Sequence, residues 1–406
     1  MQTTSSSLSH IVKTGADRLL SDCSDLIKNK RLGILTNHTG CLSNGMHIIT
    51  AIAESKNATL AALFGPEHGI FGNTPDGTVV EHDAHPDYYI PIYSLYGRVH
   101  KPTKEMLEKI DVLVCDMQDV GARFYTFIST IALALEAAAE FHVPFVLLDR
   151  PNPIRGLCYD GPVREQPLKS FVSWMPIPVT YGLTLGELAR LWNEEGWLAN
   201  GVRADLTVVP MEGWSRDMWY DETGIPWIAP SPNMQRLSTA IMYPGLCFVE
   251  GTSISEGRGT ASPFELIGAP WADSEKILKE LNAFETPVEN SLGGVSFSPA
   301  EFIPKEIQGV ASEPKYKGER CRGIKVEITD RNAVRAVRLG VAVLAAFKRA
   351  HPQQTELRHR RFDILTGSSS VRKKLDAGIR PEEIFSLWKP QLQEFGRLRE
   401  KYFLYR

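Results

Sequence analysis

With 406 residues, 43% of them hydrophobic and 23% charged, the chain has the composition of a soluble globular protein long enough for two or three domains. A formal net charge of −3 gives no electrostatic reason to expect nucleic acid or an anionic membrane as a partner. No apolar run approaches the ~20 residues of a membrane span, and six scattered cysteines without a Cys-x-x-Cys argue against a zinc knot or a disulfide framework.

The first residues, Met1 to Lys13, are polar and Ser-rich and lack the basic and then apolar stretches of a secretory signal. The expected location is the cytoplasm, or outside it if a leader has been removed. Gly15 to Asn29 has a helical rhythm, and Arg31 to Asn37 reads as a short buried strand running into the turn-rich His38-Thr39-Gly40. Ile48 to Ser55 is a helix and Ala58 to Phe64 a second strand.

That strand ends in Gly65-Pro66-Glu67-His68-Gly69, where glycines permit tight turns and proline stiffens one of them. A carboxylate held rigidly at a strand end is where a general acid can sit. Taken alone, a capped turn with its ionisable side chains in water is the plainer reading. A polar segment follows, Asn73 to Asp87, then a short helix from Thr103 to Lys109 with Thr103 as its cap.

Asp111 to Asp116 is the third strand, leaving through Met117 to Phe124 into an alanine-rich helix, Tyr125 to Phe141. Pro144 to Asp149 is the fourth strand, with Arg150-Pro151-Asn152-Pro153 after it; a helix over 184–196 and a strand over 205–209 complete the series. Strands alternating with helices predict a Rossmann-like parallel sheet flanked by helices, and the near-continuous apolar runs predict strands buried on both faces. There is no GxGxxG after the first strand, so no dinucleotide cofactor is expected.

In such sheets ligands bind outside the carboxyl ends of the strands. Asn37 to Gly40, Glu67-His68, Asp116 to Arg123 and Asp149 to Asn152 each follow a strand, so one shared site is expected to collect all four. From Met211 the texture changes, with frequent proline and tryptophan. Gly251 to Thr260 is glycine-rich without the Lys-Ser/Thr of a phosphate loop. After about Trp271 a smaller second α/β unit is expected, with a strand over 323–329, a helix over 333–349 and a helical tail over 381–400. We place the border near residue 235, giving domains 1–235 and 236–406 with a cleft between them.

Candidate acids and bases are Glu67, His68, Asp116, Asp119, Glu250 and Glu256; Arg123, Arg150 and Arg258 are candidates to pair with a substrate carboxylate. His82, Asp83 and His85, with Glu67 and His68, make a divalent metal site conceivable, but the spacing matches no strong motif and none is expected. Tyr88, Tyr93, Tyr96, Phe124, Tyr125, Trp174 and Trp227 are available to stack on sugar faces, although most aromatics serve the core.

Six blocks carry a resemblance: GILTNHTG (33–40), LFGPEHGIFG (63–72), DMQDVGARFYTF (116–127), LDRPNP (148–153), PSPNM (230–234) and EGTSISEGRGTASPFELIGAP (250–270). Along nearly its whole length the chain resembles the bacterial exo-β-N-acetylmuramidases of glycoside hydrolase family 171, once catalogued as a domain of unknown function. Gln235 stands where proline is expected after Pro-Asn-Met. The resemblance implies a Rossmann-like domain joined to a smaller one. It implies release of N-acetylmuramic acid from the non-reducing end of peptidoglycan fragments, with Glu67 in the position of the proposed catalytic acid.

On this reading Glu67, its pKa raised by burial against Phe64 and Phe71, protonates the leaving oxygen. His68 is either its hydrogen-bond partner or a contact to the sugar, and Asp119 or Glu256 is the second carboxylate, which activates water, attacks the anomeric carbon or holds the substrate's 2-acetamido group as internal nucleophile. The expected substrate-binding set is Asn37, Arg123, Tyr125, Asn233, Glu256 and Arg258. The expected partner is a muropeptide-derived disaccharide, with no cofactor. Two alternatives stand beside it: a metal-dependent hydrolase built on Glu67, His68, His82 and His85, and a non-catalytic muropeptide-binding protein.

Overall fold

The computed structural model describes residues 11–74, 77–79, 82–284 and 292–406. Residues 1–10, most of the Ser-rich start, lie outside this set, as do four residues of the polar segment over 73–87. Seven strands form the main sheet: β1 (Arg31–Thr36), β2 (Thr59–Gly65), β3 (Asp83–Ala84), β4 (Pro91–Ser94), β5 (Val112–Asp116), β6 (Phe145–Leu148) and β7 (Leu206–Val209). Their order is β3-β4-β2-β1-β5-β6-β7, with every neighbouring pair parallel except β3–β4.

The central strands β5 and β6 are buried throughout, as their unbroken apolar runs require. Helix α1 (Gly15–Leu20) precedes the sheet, and the helices that join its strands are α2 (Ile48–Ser55), α3 (Lys104–Leu107), α4 (Thr126–Glu140) and α5 (Leu185–Glu194). Helix α1 is shorter than the 15–29 rhythm suggests, ending at Leu20 with Ser21 as its cap. Thr14 caps α1 and Thr184 caps α5, each in a reciprocal arrangement with the acid three residues on. Thr103 precedes α3 but makes no such bond. Of the fifteen residues of α4 all but Glu140 are buried, which explains a composition of alanine, leucine and isoleucine on every side.

The chain reverses direction across the sheet at β1, which lies between β2 and β5. Loops leaving β2 and β5 therefore face each other over the end of β1, the place where a crevice opens in folds of this kind.

The second domain is smaller. Its sheet is antiparallel, β8 (Leu266–Ala269), β10 (Cys321–Ile328) and β9 (Val295–Phe302) in that order. It is packed by α6 (Leu237–Leu246), α7 (Ser274–Asn282) and α8 (Ala336–Ala350), with α9 (His359–Thr366) to α12 (Lys389–Arg399) following; α10 is Ser369–Asp376 and α11 Pro381–Ser386. One buried apolar cluster runs from Phe64, Leu113 and Phe127 into Phe248, Ile267, Leu344 and Phe362, so the core is continuous between the two domains. Among the described residues no helix is long and apolar enough to cross a membrane.

Candidate active site

At the end of β2 the chain turns through Pro66, and His68 and Gly69 both take left-handed backbone angles, φ 70° and 71°. Such a pair strains any residue with a Cβ, so Gly69 is the easy member and His68 the costly one. The turn closes with the Gly69 N–H donating to the Pro66 carbonyl at 3.0 Å. It leaves Glu67 half-buried and facing a cavity of about 610 Å³, within the range of small-molecule sites.

Thr126, Gly77 and Tyr96 hold the Glu67 carboxylate. Thr126 Oγ1 donates to Oε2 at 2.6 Å, and the Gly77 N–H donates to Oε1 at 2.9 Å. Tyr96 lines the same wall; burial and the nearby Glu67 charge push its phenol pKa up. His68 Nδ1 lies 2.7 Å from the Thr74 carbonyl. A carbonyl only accepts, so Nδ1 carries the proton. Burial lowers the imidazole pKa, which favours the neutral ring.

The facing wall comes from the second domain and is dominated by charge. Lys315 Nζ donates to the carbonyls of Val249 and Ile254, both at 2.8 Å, and pairs with Glu256 at 3.0 Å. Glu250 sits between Arg258 at 2.9 Å and Arg361 at 3.0 Å. Burial and the neighbouring Glu256 nevertheless push the Glu250 pKa up. The Arg258 guanidinium lies 5.1 Å from the centre of the Phe264 ring, and burial pushes it down to about 10. With Arg358 and Glu313 also lining it, four cations against three carboxylates leave this wall net positive. Asn233 closes one edge by donating from Nδ2 to the Val310 carbonyl at 3.0 Å.

Of the residues expected here, Glu67, His68, Tyr125, Asn233, Glu256 and Arg258 line the cavity. Three do not line it, and each bonds groups of the protein instead. Asn37 is fully buried, its Oδ1 accepting from the Thr39 N–H and hydroxyl. Asp119 accepts from the Gly121 N–H at 2.9 Å and from the Tyr181 hydroxyl. Arg123 donates to the carbonyls of Pro162, Ile177 and Leu365, and burial without a counter-charge pushes it down to about 9.

The expectation that all four strand-end motifs meet in one site is likewise corrected. Asp116 pairs with Arg150 at 2.5 Å, Thr36 donates to the Asp116 carbonyl, and the Gln118 N–H donates to Thr39. These loops fasten to one another because polar groups at buried strand ends need partners; of the four, only Glu67 and His68 reach the cavity.

Among the aromatics, Tyr96, Phe124 and Tyr125 line it. Tyr93 packs on Phe64, Tyr88 on His85, Trp174 bonds Glu136, and Trp227 bonds the Met234 carbonyl. Phe64 is buried, but Phe71 is half exposed and stacks near His85. His82 and His85 accept backbone N–H bonds from Ser94 and Asp87. Among the described residues no group of three or more His, Cys, Asp or Glu side chains is placed to hold a metal.

Sequence reasoning missed Thr126, Lys315 and Arg361. Thr126 was legible as the first residue of a helix beside the Asp116–Phe124 loop; nothing local marks the other two.

Comparison with known proteins settles the family. The model described as "Exo-beta-N-acetylmuramidase NamZ, N-terminal" matches residues 32–238, and its C-terminal counterpart matches residues 241–405. The chain belongs to the exo-β-N-acetylmuramidase NamZ family. A relative from Bacillus subtilis (strain 168), described as peptidoglycan β-N-acetylmuramidase NamZ, is 41% identical over 97% of this chain and 91% of its own. Two solved structures, described as DUF1343 family proteins from Bacteroides fragilis NCTC 9343, superpose with TM-scores of 0.88 and 0.78 at 36% and 31% identity. Each covers 97% of this chain and 99% of its own. The NamZ family is one of glycoside hydrolases, and both of its domain models fall on this chain in order.

Proposed function

We propose that the protein releases N-acetylmuramic acid from the non-reducing end of peptidoglycan fragments, with Glu67 as the general acid. The observation that carries this is the Glu67 carboxyl group, fixed by Thr126, Gly77 and Tyr96 at the mouth of a sheet crevice and facing a cationic wall across a sugar-sized cavity. Membership in the NamZ family supports the substrate class.

In this reading the muramic acid enters with its lactyl carboxylate toward Arg258, Lys315 and Arg361, where guanidinium and ammonium groups suit an anion. Tyr125 and Phe264 supply apolar faces for the ring. Glu67 gives its proton to the glycosidic oxygen as the C–O bond breaks. Glu256, held by Lys315, is the second carboxylate, since Asp119 does not reach the cavity. His68 presents a neutral imidazole to the sugar.

The test is Glu67→Gln assayed on a β-N-acetylmuramyl disaccharide, with and without a chelator. Loss of kcat/KM by about 10²–10⁴-fold with an unchanged melting temperature is expected, and chelator has no effect on the unmodified protein. Retained turnover in the variant removes Glu67 from the role. Inactivation by chelator turns the reading to a metal hydrolase, and binding without release turns it to a muropeptide-binding protein.

A further inference from the structure

The Glu67 carboxyl group is gripped at both oxygens, by donors of different character. Gly77 offers a backbone N–H from the connection between β2 and β3. Thr126 offers a hydroxyl from the first turn of α4, a helix buried along nearly all of its length and packed into the main core. The helix is the rigid reference of the two, and the 2.6 Å contact ties the plane of the carboxyl group to it.

We infer that Thr126 is a positioning residue for Glu67, acting through that hydrogen bond and not through contact with the sugar. The inference rests on the reading of Glu67 as the acid. When the glycosidic C–O bond breaks, its electron pair goes to the departing oxygen, which takes the Glu67 proton and leaves a full negative charge on the carboxylate; the anomeric carbon ends bonded to the oxygen of a water molecule, whose released proton restores the enzyme's protonation state. Hydrogen bonds to an ionised acceptor are stronger than those to a neutral one. The Thr126 bond therefore tightens as the proton leaves, and an interaction that is stronger in the transition state than in the ground state accelerates the step. It also holds the carboxyl group in the orientation from which transfer occurs. Both effects matter only when the leaving group needs a proton.

The experiment compares two substrates, a muramyl disaccharide, whose sugar leaving group must be protonated, and 4-nitrophenyl β-N-acetylmuramide, whose phenolate departs unaided. Thr126→Val is expected to lose about 10–100-fold in kcat/KM on the disaccharide and to stay within about 3-fold of the parent on the nitrophenyl substrate. Thr126→Ser, which keeps the hydroxyl, restores the disaccharide rate. Equal losses on both substrates, or no loss on the disaccharide, overturn the inference. Because the ratio of the two rates does not depend on the fraction folded, a weakened variant still reports, and Thr126→Ala carries the same comparison if the valine protein cannot be made. Glu67→Gln is run alongside. If it shows the leaving-group dependence and Thr126→Val does not, only the role of Thr126 falls; if Glu67→Gln shows none, the acid assignment falls and takes this inference with it.

Discussion

Asp119 shows how a single residue can look catalytic in sequence and be structural in the fold. It follows a strand-ending aspartate and precedes a glycine and an arginine, as a site carboxylate would. Its side chain is nevertheless 3% exposed and turned toward Gly121 and Tyr181. Burial pushes its pKa up to about 6, against the pull of the Tyr181 and Gly121 bonds.

That value lies above the ordinary 3.8. Between the two, the folded protein holds a proton that the unfolded chain has lost, so stability falls as pH rises through this window. Asp119→Asn is expected to flatten that part of the stability-versus-pH curve, measured by thermal melting at a series of pH values. It should also keep kcat/KM on the disaccharide within a few-fold; a collapse of turnover with an intact fold would return Asp119 to the chemistry. Glu67 was legible because its glycine, proline and ionisable neighbours form one local pattern. Asn37 and Arg123 were misplaced because a polar residue that satisfies a buried loop has the same sequence appearance as one that binds a ligand. Lys315 and Arg361 reach the cavity from distant parts of the chain, where spacing carries no signal.

At the scale of elements, the parallel strands were readable because burial on both faces demands unbroken apolar runs. Two features of the second domain resisted. The β9 sequence, VSFSPAEF, is only partly buried and carries Pro299, so it has neither a long apolar run nor clean alternation. The end of α6 contains Tyr243-Pro244-Gly245, which reads as a loop but completes a helix.

The glycine there has a packing reason. A Cβ on Gly245 would lie 1.7 Å from the Ala336 carbonyl oxygen, and one on Gly340 would lie 2.2 Å from the Gly245 carbonyl oxygen. Helices α6 and α8 touch backbone to backbone, and neither can yield as a flexible side chain would. Gly340→Ala is therefore expected to destabilise the protein by about 1–3 kcal/mol or more, seen as a clear drop in melting temperature. A melt within a degree of the parent would show that the two helices have room between them.

Across the whole molecule, the continuous core is joined by a return of the chain end to the first sheet. The Tyr405 hydroxyl donates to Asp149 at 2.6 Å and accepts from the Met211 N–H at 2.9 Å, while the Leu404 N–H donates to Glu187. Arg399 donates to the Gly182 carbonyl nearby. Asp149 itself is pushed up to about 7 by burial, with its bonds to Tyr405, Thr184 and Gly186 opposing the shift. Tyr405→Phe removes one donor from that carboxyl group and strands a buried N–H, so a loss of about 1–3 kcal/mol is expected, measured by denaturant unfolding. An unchanged midpoint would mean that the chain end contributes nothing to holding the two domains together.

The cavity itself is split property. Glu67 hangs from the sheet, whereas Arg258, Lys315 and Arg361 belong to the other domain. A displacement of one domain against the other by an ångström or two would therefore part Glu67 from those cations while leaving every lining residue in its own fold.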